Sequence, residues 1–111
     1  MANREFYDLI IIGGGPGGLT AGIYAKRAAM QAVLIEKGVP GGQIINSDEV
    51  ENYPGFEHIS GAELGMKLSQ HAANYDLEVL GREVTAIIPG AESHVVTLDD
   101  GSQLEANALI L

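Results

Sequence analysis

The first third of the chain alternates between short apolar runs and a segment whose apolar residues recur at helical spacing. Residues 9–12 (LIII) and 32–35 (AVLI) are continuous, mostly β-branched runs, typical of strands buried on both faces of a parallel sheet. Between them, Leu19, Ile23 and Met30 mark one stripe of a helix predicted over residues 19–30. A strand, a glycine-rich turn, a helix and a second strand within about 30 residues predict a βαβ unit.

A second helix and a third strand follow a long irregular connection, residues 38–59. Residues 60–63 (SGAE) match a capping box, so a helix is predicted to begin there. Residues 77–80 are predicted as the third strand. A structureless connection as long as residues 38–59 is uncommon in a compact domain and is usually functional or mobile.

Beyond Gly81 the pattern becomes one of short strands joined by turns. Strands are predicted at residues 84–88, 94–98 and 103–106, the last two flanking the hairpin sequence DDGS at 99–102. These strands make a small antiparallel β-meander at about residues 82–107. Residues 108–111 (ALIL) then predict a separate buried strand. The predicted fold class is α/β: a Rossmann-like βαβ parallel sheet plus this meander.

The apolar character of residues 108–111 bears on domain organisation. A strand this apolar belongs in the middle of a sheet, so we expect the 111 residues to be an incomplete domain of a longer enzyme. On this interpretation they form only the N-terminal part of their domain.

Composition excludes several classes of function. Six Lys and Arg against fifteen Asp and Glu give a net charge of −9, which disfavours nucleic-acid and anionic-membrane partners. The chain has no cysteine, which excludes disulfides and thiolate sites within these residues. No apolar run approaches the roughly 20 residues of a membrane span, and residues 9–12 are too few for a signal peptide, so a cytoplasmic location is expected.

The turn after the first strand carries the strongest chemical signal. Gly13, Gly15 and Gly18 satisfy G-x-G-x-x-G, in which the first glycine permits the turn, the second admits a pyrophosphate and the third allows close helix–strand packing. Glu36 follows the second strand, where an acid can bind a ribose 2′-hydroxyl. The pattern predicts a bound dinucleotide; the alternative is a tight turn with a solvated glutamate. NAD and FAD share the adenylate half, so the fingerprint leaves both open.

Other candidate clusters are weak. His58, His71 and His94 lack ligand spacing, and we predict no metal site. Asp99 and Asp100 suit a turn better than an acid–base pair, and no catalytic residue is predicted within these 111 residues.

Three motifs together resemble a known family. Residues 7–18, residues 41–44 (GGQI) and residues 49–55 (EVENYPG) resemble the N-terminal segment of the thioredoxin reductases, within the two-dinucleotide-binding flavoprotein family. The resemblance implies FAD as the cofactor and, in a full-length enzyme, electron transfer from NADPH through FAD to a Cys-x-x-Cys pair and on to thioredoxin or a similar redox protein. It also implies a homodimer. On the same resemblance, residues 1–111 are the N-terminal part of an FAD-binding domain, and the rest of that domain and the NADPH domain are expected in further sequence.

The resemblance assigns a set of cofactor-binding residues by position. It implies that the glycine turn binds the pyrophosphate and that Glu36, with Lys37 adjacent, binds the adenosine ribose. It also implies that the backbone of Val84 contacts the adenine. The complete set is Gly13, Gly14, Gly15, Pro16, Gly17, Glu36, Lys37, Gly41, Gly42, Gln43, Asn52 and Val84. For Gln43 and Asn52, which the resemblance places near the flavin, ordinary capping of loop backbone is the alternative.

Two alternatives to a thioredoxin reductase remain open. A ferredoxin or flavodoxin–NADP reductase shares the fold and the FAD loop but lacks the cysteine pair. A stand-alone nucleotide-binding module without enzymatic activity is the second alternative.

Overall fold

A mixed sheet with two helices is formed by the part of the chain that the structure covers. A computed structural model describes residues 4–38, 41–42, 46 and 49–111. Six strands in these ranges hydrogen-bond in the order β3-β2-β1-β6-β5-β4. In chain order the elements are β1 (Glu5–Ile12), α1 (Pro16–Arg27), β2 (Ala32–Ile35), α2 (Gly61–Asn74), β3 (Glu78–Leu80), β4 (Val84–Ile88), β5 (His94–Leu98) and β6 (Gln103–Ile110).

The two apolar runs form the buried centre of the sheet, as predicted. β1 pairs in parallel with β2, with Ile10 opposite Val33 and Ile11 opposite Leu34. All four of these side chains have 0% of their surface exposed. Neighbouring residues of a strand point to opposite faces, so both faces of the sheet are covered here. One face packs against α1 and α2, and the other contributes to a cluster with meander residues such as Val96 and Leu104.

Helix α1 begins earlier than its apolar stripe indicated. It starts at Pro16 directly after the glycine turn, where proline is favoured because the first helical N–H needs no partner. It ends at Arg27, and Ala29 follows with a φ of 59°, a left-handed conformation that cannot continue a helix. The predicted end at Met30 was therefore wrong.

Helix α2 begins where the capping box predicted. The Ser60 hydroxyl accepts a hydrogen bond from the Glu63 N–H at 3.1 Å, which satisfies a donor of the first turn. An isolated antiparallel bridge joins Val50 to Ile59 ahead of the helix. Both residues are buried against Leu64 of α2, so the segment between them is anchored to the helix at its two ends.

The last strand differs from the prediction. Residues 103–106 and 108–111 were predicted as separate strands, but β6 runs without interruption from Gln103 to Ile110. Its first half pairs antiparallel with β5, and its length from Leu104 to Ile110 pairs in parallel with β1. The meander is therefore continuous with the parallel sheet, and together they form one α/β sheet. Within the described ranges, neither α1 nor α2 has the length and hydropathy of a membrane-spanning helix.

Candidate functional site

The carboxyl ends of the central parallel strands meet at one edge of the sheet. β1 leads through α1 to β2 on one side, whereas β6 lies on the other side of β1. This change of direction is a topological switch point, where open α/β sheets bind ligands. Backbone hydrogen bonds tie the strand ends together: the Gly13 N–H donates to the Ile35 carbonyl at 2.8 Å, and the Glu36 N–H donates to the Leu80 carbonyl at 3.0 Å.

The first and third fingerprint glycines have the structural roles that their spacing predicts. Gly13 adopts a φ of +108°, a conformation that other residues rarely adopt. A Cβ on Gly18 would lie 2.0 Å from the Gly13 carbonyl oxygen, so only glycine allows α1 to pack this closely on the turn. These two residues set the direction in which the helix leaves β1.

The second fingerprint glycine faces open space. A Cβ on Gly15 would meet nothing within 4 Å. Gly15 is also the N-cap of α1, and it supplies no side chain to the amides of the first turn. The positive end of the helix dipole is therefore open to an anion at this point.

Two later glycines close over the same turn. The Gly41 N–H donates to the Gly14 carbonyl at 2.7 Å. A Cβ on Gly42 would come within 2.9 Å of the Gly15 Cα, and the φ of Gly42 is +64°. The structure thus brings these two predicted site residues, Gly41 and Gly42, onto the glycine turn.

Glu36 bridges the glycine turn and the loop after β2. One carboxylate oxygen accepts from the Gly14 N–H at 2.6 Å and the other from the Gly38 N–H at 2.7 Å. A Cβ on Gly14 would lie 3.1 Å from the Cβ, Cγ and Oε1 atoms of Glu36. A side chain at position 14 would therefore crowd the Glu36 carboxylate, which the Gly14 amide holds in place by its hydrogen bond.

A cavity of about 240 Å³ opens beside this bridge. Four predicted site residues line it, namely Gly13, Glu36, Lys37 and Val84. Ile12 and Ile35 add apolar wall, and Arg82 and Glu83 complete the lining. The cavity thus combines an apolar wall with two carboxylates and two cations, and a mainly apolar lining with a few polar groups is typical of small-molecule sites.

Sequence reasoning missed Arg82 and Glu83. Arg82 lies 3.9 Å from an Asp99 oxygen and 3.6 Å from an Asp100 oxygen, so the β5–β6 turn holds it at the edge of the cavity. Hydrogen bonds from Ser102, together with the nearby Arg82 charge, lower the pKa of Asp100 below its ordinary value. A signal was available, because Arg82 is the only cationic residue after Lys67.

Of the remaining predicted residues, Pro16 and Gly17 are the first two residues of α1 and directly follow the glycine turn, whereas Asn52 lies apart from it. Asn52 is exposed and lines a separate, shallow groove of about 440 Å³ formed by residues 51–57. That groove shares no lining residue with the cavity beside Glu36. Gln43 lies outside the described residues. Within those residues no group of three or more His, Cys, Asp or Glu side chains is placed to hold a metal ion.

Comparison with protein families identifies the chain. The family model described as pyridine nucleotide-disulphide oxidoreductase matches residues 7–111. The chain belongs to this family. Among curated relatives, it is 42% identical over 111 residues to the thioredoxin reductase of Bacillus subtilis strain 168. That alignment covers 100% of the chain and 35% of the relative, so the chain spans about a third of its length.

Solved structures of this family have the same fold. The thioredoxin reductase of Streptococcus pyogenes is 38% identical with a TM-score of 0.90, over 96% of this chain and 35% of that one. A ferredoxin-flavin thioredoxin reductase from Clostridium acetobutylicum is 25% identical with a TM-score of 0.87, over 96% and 37%. The predicted resemblance and fold class are confirmed: this is a thioredoxin reductase-like segment of an oxidoreductase family.

Proposed function

We propose that the chain is the FAD-binding portion of a thioredoxin-disulfide reductase that takes its electrons from NADPH. One observation carries this proposal. The open glycine turn, the Glu36 carboxylate and the adjacent cavity lie together at the switch point of the sheet. Similarity to thioredoxin reductases over the whole chain supports the same assignment.

The residues present fit FAD at its adenylate end. Gly15 leaves the space that a diphosphate needs, at a helix start with no side-chain cap. Glu36 would accept from the ribose hydroxyls, since each of its oxygens retains acceptor capacity beyond the one amide it binds. The adenine would enter the apolar part of the cavity, next to the backbone of Val84.

The charge around the cavity also suits this ligand. The chain carries a net charge of −9, which repels a diphosphate at long range. Two of its six cationic residues, Lys37 and Arg82, nevertheless line the cavity and balance the two glutamates there. The same Glu36 carboxylate would repel a ribose 2′-phosphate, so NADPH is expected at a different site.

The flavin end rests on the resemblance alone. Gly41, Gly42 and Gln43 would border the ribityl chain and ring, and Asn52 would face the isoalloxazine. Gly41 and Gly42 pack on the glycine turn, so the backbone at these two residues lies close to the proposed phosphate site. Asn52 lies on the segment between Val50 and Ile59, which is anchored to α2 at both ends.

FAD, when bound, accepts two electrons from a nicotinamide donor and passes them to a disulfide. The chain's own residues would bind and orient the cofactor and would take no part in thiol chemistry, because the 111 residues contain no cysteine. We propose that the redox-active cysteine pair and the NADPH site belong to further sequence of the same enzyme. On this proposal the segment alone is inactive, the enzyme is a cytoplasmic homodimer, and its partner is thioredoxin or a similar redox protein.

The test is the visible spectrum of the protein expressed with all of its natural flanking sequence. A yellow protein that releases FAD on denaturation and reduces a disulfide substrate with NADPH is the expected result. A protein that stays colourless after incubation with FAD would overturn the proposal.

The redox partner needs a second measurement. The same fold also occurs in an enzyme whose name includes ferredoxin, so this segment does not identify the partner. Anaerobic reduction of the flavin by NADPH, with turnover of a disulfide, supports the thioredoxin reductase. Reduction by NADPH followed by electron transfer only to ferredoxin or flavodoxin identifies the alternative NADP reductase.

A further inference from the structure

Arg82 occupies a position that the FAD assignment does not account for. It precedes β4, lines the cavity beside Glu36, and is held on its other side by the turn between β5 and β6. The side chain is 49% exposed, so it lies at the mouth of the cavity and not within its apolar wall.

The anchoring of Arg82 is more extensive than a single surface ion pair. Asp99 and Asp100 each approach one guanidinium nitrogen. The Asp99 N–H also donates to the Glu83 carbonyl at 2.9 Å, which joins the hairpin turn to the residues flanking β4. Asp100 is itself fixed by the Ser102 amide at 3.0 Å and the Ser102 hydroxyl at 2.6 Å. An isolated exposed pair contributes little, but a network of this kind restricts where the guanidinium can go.

Among the described residues that line the cavity, none has an aromatic side chain on which a base could stack. Its apolar wall is aliphatic, made by Ile12, Ile35 and Val84. Among the lining residues, the guanidinium of Arg82 is the planar group with positive charge, and such groups stack on aromatic faces. Lys37, the other cation, offers only a compact, strongly hydrated charge.

We infer that Arg82, positioned by Asp99 and Asp100, covers the face of the adenine ring that the aliphatic wall leaves open, and so adds to the affinity for the base. This inference rests on the proposed FAD function of the cavity. It makes Arg82 an affinity determinant for the base and gives the β5–β6 turn a role in cofactor binding.

The test uses the flavin-free protein with its natural flanking sequence and two probes, ADP and inorganic pyrophosphate, each measured by calorimetry or by competition with FAD. Arg82→Ala and Arg82→Lys should both weaken ADP binding about tenfold. Arg82→Lys keeps the charge beside the cavity and should leave pyrophosphate binding within about twofold of wild type. The double variant Asp99→Asn/Asp100→Asn keeps the guanidinium but releases it, and should weaken ADP binding by about threefold. Arg4→Ala is the matched control, because Arg4 is also a half-exposed arginine with a carboxylate partner, Glu105, and does not line the cavity.

The outcomes separate the inference from the function it rests on. If Arg82→Lys binds ADP with wild-type affinity, only the charge of Arg82 matters. If pyrophosphate binding falls as much as ADP binding, Arg82 contacts the phosphates and not the base. Either result overturns the inference. If Arg82→Ala fails to fold, the lysine variant and the double asparagine variant still decide. Wild-type protein that binds neither FAD nor ADP would instead refute the proposed function.

Discussion

Replacing Gly15 with alanine separates cofactor binding from folding. The added Cβ would meet no protein atom within 4 Å, and the Gly15 φ of −72° is ordinary for any residue. Losing glycine lowers the entropy of the unfolded chain, which stabilises by about 0.4–1 kcal/mol. Alanine is a poorer N-cap than glycine, which offsets much of that gain. The free energy of unfolding of the flavin-free protein should therefore stay within about 1 kcal/mol of wild type.

The same methyl group should have a large effect on FAD. If the diphosphate lies against Gly15, the methyl overlaps a tightly packed contact, and such overpacking costs about 1–3 kcal/mol. The dissociation constant for FAD should then rise roughly 5- to 150-fold. The measurements are the flavin content of the purified protein, FAD titration of the flavin-free form, and urea unfolding without cofactor.

Gly18→Ala is the contrasting variant. Its Cβ would lie 2.0 Å from a backbone oxygen of Gly13, so α1 must move away from the turn. A helix gains about 1 kcal/mol from this substitution, but the steric conflict is expected to exceed that gain. Net destabilisation of about 1–2 kcal/mol should lower the melting temperature by several degrees.

A Gly15→Ala protein that retains FAD at wild-type affinity would refute the assigned phosphate position.

Three further predictions concern other parts of the fold. Burial and hydrogen bonds to Glu5 and Glu78 raise the pKa of Tyr7, so its contribution to stability is complete below about pH 10 and is lost as the pH rises further. From pH 9 to 11, melting temperature should fall more steeply for wild type than for Tyr7→Phe, with Tyr24→Phe behaving as wild type. Glu36→Ala should weaken FAD binding by about 1.5–3 kcal/mol in titrations, since hydrogen bonds to a carboxylate are lost. Ser60→Ala should cost about 1 kcal/mol in urea unfolding because α2 loses its cap.

Each of these three has a clear contrary result. Equal alkaline slopes for wild type and the Tyr7 variant would show that the hydroxyl does not resist ionisation in the folded protein. Unchanged FAD affinity in the Glu36 variant would show that the ribose does not bind to that carboxylate. An unaffected Ser60 variant would mean that α2 is held by packing alone.

The parts of the fold that the sequence predicted are those with strong local signals. Continuous apolar runs specified β1 and β2, and the Ser60 capping box specified the start of α2, because these elements depend mainly on neighbouring residues. Strand β6 was divided in the prediction at Asn107, a polar residue inside an apolar pattern. In the structure Asn107 is exposed where pairing with β5 has ended, so it interrupts the pattern without interrupting the strand.

The candidate site shows the same division. The glycine spacing and Glu36 follow from motif chemistry, and the structure joins them through the bond between the Gly14 amide and the carboxylate. Arg82 depends on the β5–β6 turn meeting the residues before β4, a contact that no local pattern contains. Asn52 could be singled out only by resemblance, since its groove is formed entirely by its own segment.

The pairing of β1 with β6 has a consequence for biosynthesis. Glu5 is opposite Leu104 in this ladder, so one side of β1 has no strand partner among the described residues until β6 has been made. At about 5–20 residues per second, translation of the intervening segment takes roughly 5–20 seconds. During that interval one edge of β1, whose residues 9–12 are all apolar, lacks this strand partner, and an unpaired apolar edge favours pairing with another chain.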